Sequence, residues 1–167
     1  MKTRIITLLL SIAAISIIAR IIPPFQSWKH LEKWSSSIIV VVAGHPIPPP
    51  QGVEILDAPK SDFSITVRSV LMGTNNVPNA RLETDHELKT GQAYLVFSHD
   101  FDSGTYNAWE DYRVLPLGFK FSPDLIQGRP LDEQLQILFQ LAVDNLNEEI
   151  AKTQAERDRI QAGIIKK

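Results

Sequence analysis

Residues 36–118 read as a succession of short apolar or alternating runs separated by Gly, Pro and Asn turns, with no helical pattern between them. That succession constrains the fold more than any other feature of the chain. Residues 38–43 (IIVVVA) are uniformly apolar and rich in Ile and Val, the mark of a strand buried on both faces, and they end at Gly44. Residues 63–72 alternate, with Phe63, Ile65, Val67 and Leu71 on one face and Ser64, Thr66 and Arg68 on the other. Such alternation suits an antiparallel sheet with one wet face. Shorter strands are expected at 52–57, 80–84 and 111–117, and a strong one at 92–98 after a Lys89-Thr90-Gly91 turn. The segment 45–52 holds four of the eleven prolines and reads as an extended loop between strands rather than a polyproline ligand. GTNNVPN (73–79) is a turn and 100–107 a polar loop. Five or six strands of this kind describe a small barrel or sandwich.

The C-terminal region, 119–167, is helical. Ser122, Pro123 and Gly128 frame a single turn, and a longer helix is expected from about Pro130 to about Gln161, with Asp132 and Glu133 at its positive end. Leu135, Leu138, Phe139, Ala142, Val143, Leu146 and Ile150 form a broad apolar face that suits packing on the strands. Beyond Ile150 only a narrow line at 4-3 spacing continues, from Phe139 through Val143, Leu146, Ile150, Thr153, Arg157 and Ile160 to Ile164. It predicts either a coiled-coil partner, a second copy included, or a solvated tail.

At the other end, Lys2 and Arg4 precede an apolar run that continues to Ile22 and stops at Pro23-Pro24. Residues 1–22 therefore read as a signal peptide or a retained signal-anchor helix. Residues 5–22 span about 27 Å at about 1.5 Å per residue, enough for a thin hydrocarbon core if Arg20 snorkels. No convincing small-residue cleavage site follows, which favours the anchor. The basic N-terminus predicts that the chain from Pro23 onward lies outside the cytoplasmic membrane. Residues 23–37 then form a short connection in which Trp28, Leu31 and Trp34 share a helical face, the tryptophans suiting either a membrane interface or the core.

Composition narrows the functions. The chain has no cysteine, which excludes a disulfide scaffold, a thiolate zinc site, a cysteine nucleophile and a lipid-bearing cysteine. Setting aside Lys2, Arg4 and Arg20 leaves 14 basic against 19 acidic residues, a net charge of −5, so nucleic acid is not an expected partner.

The order SSIIVVVAG, FSITVRSVLMGT, LKTGQAYLVFSHD and DYRVLPLG over residues 36–118 resembles the netrin-like and metalloproteinase-inhibitor-like group of OB-fold domains. The resemblance implies an α+β chain: a small antiparallel OB-like β-barrel over 38–118, preceded by a membrane helix and followed by a long C-terminal α-helix. Inhibitors of that group chelate the protease metal through an N-terminal cysteine, which this chain lacks, so inhibition does not carry over.

No phosphate loop, His-Glu-x-x-His or Gly-x-Ser-x-Gly occurs, and no cofactor is expected. The sharpest cluster is His99, Asp100 and Asp102, followed by Glu110 and Asp111. It begins like a calcium loop but has Gly104 and Thr105 where an EF-hand needs Asp or Asn and then Gly, so a solvated hairpin loop is the expectation. His86, between Asp85 and Glu87, has no placed partner ligand. Tyr106, Trp109 and Tyr112 are candidates for a binding surface or for closing one end of the barrel. The sequence thus points to a non-catalytic binding or assembly module, with an exported metal-dependent hydrolase built on His99, Asp100 and Asp102 as the alternative.

Overall fold

The computed structural model describes residues 28–48, 61–73, 77–109 and 113–165. The apolar segment 5–22 and the expected strand at 52–57 lie outside them, as do Glu110, Asp111 and Tyr112. Among the described residues no helix is long and apolar enough to cross a membrane.

A short helix, α1 (Trp28–Lys33), leads into seven strands: β1 (Ser37–Ile47), β2 (Ser61–Met72), β3 (Asn79–Thr84), β4 (Ala93–Ser98), β5 (Asp100–Asp102), β6 (Thr105–Ala108) and β7 (Val114–Gly118). A 3-10 turn, Pro123–Leu125, precedes the long helix α2 (Leu131–Ile165). The strands form one sheet in the order β5-β6-β3-β2-β1-β4-β7, antiparallel throughout except for the parallel pair β3 and β6. The chain is therefore α+β, as expected, but its sheet is mixed and does not close into a barrel. A strand has two edges, which accounts for the opening. β4 gives one edge to β1 from Ser98 to Ala93 and most of the other to β7 from Ala93 to Val96. Only its last residue and His99 reach β6, where the His99 N–H donates to the Asn107 carbonyl (2.9 Å) and Ser98 Oγ accepts the Asn107 N–H (3.2 Å).

The six apolar residues 38–43 are apolar because β1 is buried on both faces. Ile39, Val41 and Ala43 point into an inner core with Phe63, Ile65, Leu82, Tyr94, Val96 and Tyr106; Ile38 and Val40 face an outer core shared with α2. β4 alternates in the same way, with Tyr94 and Val96 inward and Leu95 and Phe97 outward. Burying a side chain of this size stabilises by about 1.5–3 kcal/mol, which makes β1 and β4 the strongest ordering elements of the sheet.

β2 corrects the expected alternation. Phe63, Ile65 and Val67 face inward, but the pairing with β1 slips at Arg68 and again at Leu71, two bulges that reset the phase. Val70 therefore joins the inner core, and Leu71 packs on the outer one instead. A third irregularity lies at Gly44, where a β-carbon would stand 2.9 Å from the Ser64 carbonyl oxygen. The approach is this close because the Ser64 hydroxyl fills the slip: its oxygen accepts the His45 N–H (2.9 Å) and lies 3.1 Å from the His45 carbonyl.

On the outer face, Leu135, Leu138 and Ala142 of α2 are buried against the sheet, with Leu131, Ile137, Phe139 and Leu141 partly buried beside them. Phe139 stacks on Phe97 with ring centroids 6.1 Å apart. The buried stripe is narrower than the expected face and rotated from it. Val143, Leu146 and Ile150 remain half-exposed. Gly118 ends β7 at φ +84°, and a β-carbon there would meet Asn145 Oδ1 of α2 at 2.6 Å. Two ion pairs clamp the helix where it leaves the sheet, Lys89 with Glu149 and Lys120 with Glu148 (3.1 Å). From Ala151 to Gln161 every residue is exposed.

Candidate functional site

The residues singled out between 99 and 109 lie on a hairpin, not in an open polar loop. β5 and β6 pair as Asp100 with Asn107, Phe101 with Tyr106 and Asp102 with Thr105, leaving Ser103-Gly104 as a two-residue turn. Both turn residues have positive φ (50° and 87°), as a I′ hairpin requires.

The hairpin commits its acidic groups internally. Asp100 Oδ1 accepts from the Asn107 side-chain amide, and Asp102 Oδ1 accepts from Ser103 Oγ at 3.0 Å. Both carboxylates are exposed, on a strand at the sheet edge. Each holds its own hairpin partner rather than a common point, and among the described residues no three His, Asp or Glu side chains gather as a cation site would need. His99 lies beside the ring of Trp109, with centroids 6.0 Å apart. His86 sits two residues past β3, its backbone N–H donating to Thr84 Oγ1 (3.2 Å).

The aromatic candidates separate. Tyr106 is fully buried in the inner core, its ring 4.5 Å from that of Phe101, and burial pushes its phenol pKa up. It closes the core and offers no surface. Trp109 is 37% exposed and Trp34 60%. They stand at one corner of the sheet: the Ser36 N–H donates to the Ser98 carbonyl (2.9 Å), two residues past Trp34, and His99 follows Ser98. Arg113 is buried at the same corner, its guanidinium donating to Ser35 Oγ and to the Phe97 carbonyl (both 3.2 Å), which fixes the turn after α1 to β4. Sequence reading named Trp34 and Trp109 separately; nothing short of the β1–β4 register tells that they share a corner.

A second concavity, about 410 Å³, lies where the β2 bulges meet the 3-10 turn, lined by Arg68, Ser69, Val70, Pro123, Ile126 and Gln134. Its lining takes in Arg68, where the pairing of β2 with β1 slips. Its polar groups include no acid and base set against each other.

The third feature is the free half of α2. The line Phe139, Val143, Leu146, Ile150 is half-exposed along the docked half, and Ile160 beyond it is 56% exposed.

No known family model matches the chain, and no characterised protein is significantly similar to it in sequence.

Proposed function

We propose that the protein is a non-catalytic assembly module on the outer side of the cytoplasmic membrane, held by its N-terminal segment and joined to a second copy through α2. The observation that carries this reading is the apolar line that the sheet leaves half-exposed and that runs into the projecting half of the helix. An isolated helix of about 15 residues is marginal in water, so a helical arm of this length is best supported by a partner.

The charges on either side of the line favour a parallel pair. One flank carries Gln140, Asn147, Gln154 and Gln161, the other Glu149 and Glu156. In a parallel pair each Glu faces an uncharged residue of the other helix, whereas an antiparallel pair sets Glu against Glu. Two copies anchored in one membrane with the same orientation also present their helices in parallel. The strand order, with β4 drawn against β6 at one point, supports a partly open OB-like arrangement, and such folds bind through a sheet face and its loops.

Sedimentation of the full chain in detergent tests the reading. A dimer that becomes a monomer when the chain stops after Ile150 supports it, and identical sedimentation of the two overturns it. Because the chain has no cysteine, Ile160→Cys gives a second reading: a disulfide-linked dimer is expected there, and none from Asp158→Cys on the opposite face.

A further inference from the structure

We propose that the sheet corner bearing Trp34 and Trp109 rests in the headgroup layer of the bilayer, with the start of α1 beside it. The placement depends on reading 5–22 as a retained anchor. The chain has three tryptophans: Trp28 is the first residue of α1, and the other two belong to this corner, Trp34 following the last turn of α1 and Trp109 lying against His99 where β4 ends. Tryptophan favours the membrane interface, where its ring is shielded and its N–H still meets water.

Chain length enforces the proximity. Leu31 of α1 is 3% exposed and part of the outer core, and Ser35 Oγ donates to its carbonyl (2.6 Å), so α1 is fixed to the body of the domain. Only residues 23–27 separate Ile22 from Trp28. A fully extended chain over that interval covers about 20 Å, so Trp28 cannot stand farther than that from the membrane surface, nor Trp34 more than about 9 Å beyond Trp28 along α1. The opposite end of β4 lies about 20 Å away and carries a different exposed aromatic, Phe119, beside Gly91. Asp100 and Asp102 near the corner, in an exported part of net charge −5, match zwitterionic rather than anionic headgroups.

The full chain, reconstituted in phosphatidylcholine vesicles brominated near the top of the acyl chains, tests the placement through tryptophan emission. Flotation with the vesicles is expected, with a large loss of emission relative to unbrominated lipid. Paired substitutions that leave only Trp34 (Trp28→Phe with Trp109→Phe) or only Trp109 (Trp28→Phe with Trp34→Phe) should each keep that loss. Phe119→Trp in a background with all three tryptophans changed to Phe should show none. Flotation with Trp34 and Trp109 quenched no more than a tryptophan at position 119 overturns the placement and leaves the anchor standing. A chain that fails to float overturns both.

Discussion

The two halves of α2 have similar helix-forming composition and opposite surroundings. Residues 131–150 lay Leu135, Leu138 and Ala142 on the outer face of the sheet, and the clamps at Glu148 and Glu149 mark where that contact ends. Past them every residue from Ala151 to Gln161 is exposed. In the docked half tertiary burial dominates helix stability; in the free half intrinsic propensity and i,i+3 spacings such as Glu156 with Arg159 supply only tenths of a kcal/mol each. The helical pattern therefore continues past the domain, and only its first part is buried against the sheet.

Substitutions on either side of the clamps sharpen that contrast. Leu138→Ala should cost about 2–5 kcal/mol, since the side chain is fully buried and the sheet beneath it cannot collapse into the space; chemical denaturation reads the loss. Gly118→Ala should cost about 1–3 kcal/mol by the same measurement, because a left-handed φ and a β-carbon against Asn145 both oppose it. If Gly118→Ala proves neutral, the joint between β7 and α2 is looser than the geometry indicates.

Alkali should loosen the domain next. Burial holds the Tyr94 and Tyr106 phenols protonated, and the Glu149 carboxylate does the same for the Lys89 ammonium, so each folded pKa lies above its ordinary value of 10.0 or 10.5. The unfolded chain then releases these protons first. Their contribution is fully present below about pH 10 and is lost as pH rises through the folded values, so Tm should fall above pH 10; a flat Tm to pH 11 would show the phenols to be solvated.

Lys89→Met removes one clamp and should cost at most about 1 kcal/mol, less at high salt, because the pair is largely exposed. Smallest of all, Ile160→Ala should change the stability of the monomeric domain by no more than about 0.5 kcal/mol while weakening self-association. A large loss of monomer stability would place Ile160 against the domain and erase the distinction between the halves.

Much of this architecture was legible in the chain. The double burial of β1 is written in residues 38–43, and the 3-10 turn between Ser122 and Gly128 in its Pro and Gly. The β5–β6 hairpin was missed: Tyr106 and Ala108 alternate with Thr105 and Asn107, but the polar residues at its start read as a loop. The candidate site was read less well. Tyr106, a candidate for a binding surface or for closing the core, lies in the core, while Asp100 and Asp102, expected in a solvated hairpin loop, are exposed and bound within their own hairpin.

Local pattern alone determined β1, β2, β3, β4 and β7, the Gly91 turn and the helical course of α2, because these depend on side-chain period and backbone preference. The bulges that turn Leu71 outward, the parallel pairing of β6, the open sheet and the shared corner of Trp34 and Trp109 belong to the tertiary structure. Each follows from which strand edges meet across long stretches of chain, and edge pairing is a competition that no local pattern records.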